Sequence, residues 1–212
     1  RDDRVRAAYD EVAEAYGAHL ADELDAKPFD RWLLERLAAL AAGGPVTDAG
    51  CGPGHVAFYL AAAGADVTGI DLSPAMVAEA RRRFPELAFA VGDLTALPAP
   101  PADPAGWAAI AAWYSLVHLA GSELRPALGL LAAALRPGGW LALAVHLGPE
   151  VRTLTEWWDH DVDLSFALHD RAQVLDAVAA AGLVEVEWYV RSPILGAEVE
   201  TERLYVLGRR PT

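Results

Sequence analysis

Three glycines at alternate positions stand in the run Asp48-Ala49-Gly50-Cys51-Gly52-Pro53-Gly54, between one apolar stretch and the next. Glycine takes positive φ without steric cost and lets a ligand come against the main chain. Asp71 ends the next apolar stretch, seventeen residues after Gly54. A carboxylate there offers two acceptor oxygens to the two hydroxyls of a ribose. These features describe nucleoside binding at the carboxyl ends of parallel strands, without choosing the nucleoside. Further along stand His118 and His146. Imidazole titrates near neutral pH, so each is a candidate for acid–base work or substrate contact.

The elements that must position these groups alternate between helical and strand-like patterns, which predicts an α/β fold around a mostly parallel sheet. Residues 1–25 read as a helix with Tyr9, Val12, Ala13, Tyr16 and Leu20 on one face. Phe29 to Ala42 follows with Leu33, Leu34, Leu37 and Leu40 at helical spacing, and Gly43-Gly44-Pro45 ends it. Strands are predicted at 46–49, 66–70, 87–91, 107–114, 140–146, 183–190 and 204–208. The helices between them are 55–63, one opened by Ser73-Pro74 as N-cap and first residue, one capped by Ser122, and 171–181. Four prolines between Pro98 and Gly106 mark a surface loop. The regular pattern lapses from Gly148 to Asp170. No helix separates the last two of the seven strands, so they close the chain as an antiparallel hairpin.

Spacing bears on the ligand. A dinucleotide fingerprint places glycines as G-x-G-x-x-G so that the helix N-terminus can face a pyrophosphate. Here the third place is His55, and the glycine falls one residue earlier at Gly54. A nucleoside without phosphate does not need that helix end bare. A closing hairpin also differs from the sixth parallel strand usual in dinucleotide folds.

The run Asp48 to Gly54 resembles the first motif of class I S-adenosylmethionine-dependent methyltransferases, and Gly69-Ile70-Asp71-Leu72-Ser73 resembles their second. Val91-Gly92-Asp93-Leu94 resembles the third, and Leu135-Arg136-Pro137-Gly138-Gly139 the turn before strand five. The match covers about residues 29 to 147, and the pattern Tyr9-Asp10 with Tyr16 resembles the lid helix of the bacterial small-molecule branch. The resemblance implies a Rossmann-like domain over 1–212, with a lid helix at 1–28 and a substrate cap at 148–170. It implies S-adenosylmethionine as cofactor, released as S-adenosylhomocysteine. Asp48 and Gly50 would line its methionine part, with Gly52 and Gly54 completing the loop. Asp71, followed by Leu72, would take the ribose, Asp93 the adenine amino group and the Leu94 N–H the adenine ring. Where many members carry Phe-Asp at the start of strand four, this chain has Trp107-Ala108.

Methyl transfer is an in-line displacement at an activated carbon, so orientation and desolvation carry most of it. The acceptor site is expected over strands four and five, where Trp113, Tyr114, Ser115 and His118 follow one strand and His146 ends the other. Tyr9 and Tyr16 are expected to close over the cofactor, with Trp157, Trp158 and His160 in the cap. Cys51 reads as a packed small residue. The expected acceptor is a small molecule, a secondary metabolite by analogy with alanine-rich bacterial relatives. Two other readings stand beside this one: an NAD-dependent oxidoreductase, and a cofactor-binding partner protein without turnover.

Composition sets the outer limits. The chain has 212 residues, 54% hydrophobic and 22% charged, with a formal charge of -13. One domain suits that length, and nucleic acid, which is bound through basic patches, is not an expected partner. The one dense basic run, Arg81-Arg82-Arg83, falls where a helix should end and cations suit its dipole. A single cysteine excludes an internal disulfide, and no apolar run is long enough to span a membrane. No targeting segment or metal-ligand spacing is recognisable, so a cytoplasmic, metal-free monomer or homodimer is expected.

Overall fold

In the computed structural model, which describes residues 2–100, 103 and 105–212, five parallel strands form the centre. They are β1 (Pro45–Ala49), β2 (Asp66–Asp71), β3 (Ala88–Val91), β4 (Trp107–Trp113) and β5 (Leu135–Leu147). Strand β9 (Glu202–Arg209) runs antiparallel to β5 on one side and to β8 (Val184–Arg191) on the other. The seven-stranded order is β3-β2-β1-β4-β5-β9-β8, the fold class read from the sequence.

Alternation along the strands divides the core. Ala109, Ala111, Ala142 and Ala144 face one cluster, filled by Leu33, Leu34 and Leu37 of α2 (Pro28–Leu40) and by α3 (His55–Ala62) and α4 (Pro74–Arg83). Ile110, Ala112, Leu141 and Leu143 face the other, against α5 (Gly121–Ala134) and α6 (Arg171–Ala180). Helices therefore cover both faces, and all seven β4 residues are buried. Each fully buried leucine contributes about 1.5–3 kcal/mol.

Local signals hold where the chemistry is local. The Ser73 hydroxyl accepts from the Met76 N–H at 3.0 Å with Pro74 as the first helical residue, a cap that contributes about 1 kcal/mol. The predicted cap at Ser122 is corrected: the cap falls two residues earlier, at Ala120, whose N–H donates to the Glu123 carboxylate at 2.7 Å. The first helix is shorter than predicted. α1 spans Asp2–His19, and a 3-10 turn, Glu23–Ala26, follows it. Of the proline-rich loop, Pro101, Ala102 and Pro104 lie outside the described residues, as does Arg1.

The 148–170 stretch departs most from its sequence reading. It holds an antiparallel pair, β6 (Val151–Trp157) and β7 (His160–Ala167). Trp158 and Asp159, both at positive φ (49° and 64°), make the turn without the Gly or Asn that usually signals one. A register shift between Leu154 and Glu156 breaks the alternation in β6. Val162 and Leu164 of β7 pack with Ala8, Val12 and Ala13 of α1 and Met76 of α4, a small third core beside the sheet.

Candidate active site

The glycine loop is pinned at both ends. Gly50 and Cys51 donate to the Ile70 carbonyl at 2.7 and 3.0 Å, and the Gly52 N–H donates to Asp71 Oδ2 at 2.8 Å. Gly50 has φ +82°, and a Cβ there would fall 2.3 Å from Cβ of Ser115, so only glycine lets the β4 end come this close. Gly54 does different work from that expected. It faces the Phe89 ring and Ala80, where a Cβ would meet Phe89 at 2.8 Å, and it does not line the cavity above the loop.

That cavity has a volume of about 640 Å³ and runs across the carboxyl ends of the central strands. At its floor Asp48 is almost wholly buried, and its Oδ2 has no hydrogen-bond partner among the described residues. Burial, helped by the nearby charge of Asp71, pushes its carboxyl up to about 8, against the N–H of Ala57. Ser115 Oγ beside it is likewise buried and unpartnered. Asp71 accepts from the Ser73 N–H at 2.9 Å through its other oxygen, and burial raises its carboxyl too. Asp93 accepts from the N–H and hydroxyl of Thr95, both at 2.7 Å and both through Oδ1. Leu72 and Leu94 line the same space.

Burial raises the Cys51 thiol well above its ordinary value, with Asp71 and Asp48 adding to the effect, so a thiolate nucleophile is disfavoured.

A cover of aromatic rings lies over the loop. Tyr16 meets Trp157 edge-on at 5.2 Å between centroids and Trp158 at 5.6 Å, and His19 stacks on Trp158 at 4.3 Å. Tyr9 meets Tyr16, and its hydroxyl lies 2.9 Å from His118 Nε2. Asp10 of the same helix accepts from the Ser73 hydroxyl at 2.6 Å and from the Ala75 N–H at 3.0 Å. The cover is thereby tied to the start of α4. His160, assigned to the cap, faces Glu11 at 3.3 Å outside the cavity.

Beyond β4 the wall changes character. Tyr114 is held at φ +52° by its N–H bond to the Ala144 carbonyl at 2.9 Å, a conformation that costs a non-glycine residue about 1–2 kcal/mol. Its ring stacks on His146 at 4.8 Å. Burial, then the positive charges of Arg203 and Lys27, press the His146 imidazole down to about 4, and its Nδ1 lies 2.8 Å from Thr201 Oγ1. Buried Asp30 accepts from the Trp113 indole at 3.1 Å, the Tyr205 hydroxyl at 2.9 Å and Arg191 at 3.1 Å. Trp113 thus serves both the cavity wall and this network.

At the start of α3, His55 Nε2 donates to Glu23 Oε2 at 3.0 Å. Burial pushes the Glu23 carboxyl up, but the bond from His55 and the charge of Lys27 outweigh it and hold it at about 2. A fixed negative charge therefore stands where a pyrophosphate would have to approach, which disfavours a dinucleotide.

Residues 46–139 match the family model described as a methyltransferase domain. The chain is 45% identical over 117 residues to trans-aconitate 2-methyltransferase of Methylobacterium nodulans, covering 52% of this chain and 41% of the relative. It is 34% identical over 154 residues to malonyl-[acyl-carrier protein] O-methyltransferase of Enterobacter lignolyticus, covering 73% and 58%. The chain belongs to the class I S-adenosylmethionine-dependent methyltransferases. It spans about half the length of these curated relatives. Magnesium protoporphyrin IX methyltransferase from Synechocystis, solved with S-adenosylhomocysteine bound, superposes with TM-score 0.72 at 18% identity over 99% of both chains. The [4+2]-cyclase SpnF superposes with TM-score 0.69 at 21% identity over 100% of this chain and 97% of that one. At such identities these likenesses show the fold alone.

The residues of the site fit the family's cofactor, S-adenosylmethionine. An orphaned buried carboxylate, Asp48, awaits a cation, and the glycine loop leaves open backbone beside it. Every site residue named from the sequence lines the cavity except Gly54 and His160. Lys27, Glu23, Glu198, Thr201 and Arg203 line it too and were not foreseen. One signal for Lys27 was available: it is the only lysine in the chain. Arg203 gave none, because a charge near a strand end reads as solvent-facing.

Proposed function

We propose that this chain transfers a methyl group from S-adenosylmethionine to O, N or C of a small molecule, a secondary metabolite by analogy with bacterial relatives. The supporting observation is one cavity that joins the glycine loop and orphaned Asp48 to the Tyr114–His146 wall. The cofactor supplies an activated methyl on a sulfonium. Asp48 and Gly50 hold the methionine part, Asp71 the ribose, and Asp93 with the Leu94 N–H the adenine. Tyr9, Tyr16 and Trp157 exclude water over it, and Trp113, Tyr114 and Ser115 face the acceptor.

Neither histidine is set up as a strong base. His118 Nδ1 lies 2.9 Å from the Ser165 carbonyl, which only accepts, so in the neutral ring Nε2 takes the Tyr9 hydroxyl proton. His146 is held neutral near pH 7. Both therefore position and shield, and the acceptor reacts without a strongly basic side chain. The name of one relative, trans-aconitate 2-methyltransferase, agrees with a small acceptor, whereas malonyl-[acyl-carrier protein] names an acyl group held on a protein. Among the described residues no helix is long and apolar enough to cross a membrane, which agrees with a cytoplasmic place of work.

The test is turnover. Purified protein with S-adenosylmethionine and a panel of small acids, phenols and amines should release S-adenosylhomocysteine with a product heavier by one methylene. Release with none of them, alongside tight cofactor binding, would favour the partner-protein reading.

A further inference from the structure

Two cations on the cavity wall, Lys27 and Arg203, share one carboxylate, Glu198, with Arg191. Arg191 takes both oxygens of Glu198 at 2.7 Å, while the Ile194 N–H donates to one of them at 2.6 Å. Lys27 Nζ stands 3.8 Å from Glu198 and Arg203 Nε 3.6 Å. Arg191 has a second carboxylate in Asp30, and Lys27 a second in Glu23. Among the described residues Arg203 has only this shared Glu198 and no second carboxylate. It is 1% exposed, it donates to the Thr201 carbonyl, and its Nε is buried without a hydrogen-bond partner. A buried guanidinium held this way carries a large desolvation cost that an arriving anion would offset.

The position of Arg203 assigns that anion to the acceptor. It pairs in register with His146 at the carboxyl end of β5, so it stands on the third strand from β1, beyond β4 and β5. Tyr114, Val199, Leu168 and Phe166 line the same cavity, apolar or aromatic surfaces suited to a hydrocarbon body. His146 is neutral and so adds no charge of its own there.

We propose that the methyl acceptor is a small organic acid whose carboxylate docks on Arg203, with Lys27 beside it. The inference rests on the methyltransferase reading and deepens it. Arg203 is a substrate-docking residue, and the planar guanidinium matches a carboxylate.

Protein loaded with S-adenosylhomocysteine is titrated calorimetrically with cinnamate and with cinnamamide, which differ in charge at nearly constant shape. Cinnamate should bind at least tenfold tighter. Arg203→Gln should erase that preference while leaving the affinity for S-adenosylhomocysteine within twofold, and Arg203→Lys should keep part of it. Equal binding of the pair, or binding of neither, overturns the proposal, and this comparison needs only the wild-type chain should the glutamine variant not fold. A tenfold loss of S-adenosylhomocysteine affinity in folded Arg203→Gln also overturns it, because the cation would then serve the carboxylate of the cofactor. If the wild-type chain takes no S-adenosylhomocysteine at all, the methyltransferase reading falls and this inference with it.

Discussion

The Tyr9 hydroxyl lies 2.9 Å from His118 Nε2, across 109 residues of chain, and joins the covering helix to the loop after β4. Both residues line the cavity, so the bond ties two of its walls together. Removing one such bond costs about 1 kcal/mol, near a fivefold change in an equilibrium constant. Tyr9→Phe should therefore weaken S-adenosylhomocysteine binding about fivefold by calorimetry, with Tm lowered by no more than about 2–4 °C. An unchanged affinity would show that the contact does not shape the site.

Asp48 makes cofactor affinity depend on pH. With its carboxyl near 8 in the empty site, the acid is mostly protonated at pH 6, and a cationic methionine part favours the ionised form. Affinity for S-adenosylhomocysteine should rise from pH 6 to 8, by up to about tenfold per pH unit, and then level off. Asp48→Asn should abolish that slope. A wild-type affinity flat over the same range would contradict the assignment.

The same acid affects the stability of the free protein in the opposite direction. Its folded pKa lies above its unfolded one, so its contribution is full below about pH 4 and is lost as pH rises through about 8. Thermal melts without cofactor should give a higher Tm at pH 5 than at pH 8. Asp48→Asn should shrink the difference, Asp71 contributing the same sign because burial raises it as well.

Asp30 should carry a large share of stability. It is fully buried and accepts from Trp113, Tyr205 and Arg191, and its loss leaves the Trp113 indole without an acceptor and the buried end of Arg191 with Glu198 alone. Asp30→Ala should destabilise the fold by about 3–5 kcal/mol. Urea denaturation is the check, and a loss under about 1 kcal/mol would mean that the network relaxes around the gap.

The parts legible in the sequence are those whose chemistry is local. Gly50 and Gly52 need positive φ, Ser73 and Pro74 make a cap within four residues, and Asp71 follows directly from its strand. Gly54 was read as part of the ligand cradle, but its partner is Phe89, thirty-five residues away, which no local pattern displays. The 148–170 hairpin was missed because a register shift interrupts β6 and the turn uses Trp158 and Asp159. The alternation Asp161-Val162-Asp163-Leu164-Ser165-Phe166 was the one usable sign. The Lys27, Arg191, Glu198 and Arg203 cluster joins the cap of α2, β8, β9 and the loop between the last two strands, so it exists only once the sheet has formed.

The most direct test of the whole account is a calorimetric titration of the purified chain with S-adenosylmethionine and, separately, with NAD at pH 8. Saturable binding of S-adenosylmethionine at one site per chain, without measurable binding of NAD, is the predicted result. Tight binding of NAD with no uptake of S-adenosylmethionine would contradict it, since neither the orphaned Asp48 nor the ionised Glu23 beside His55 would then be explained.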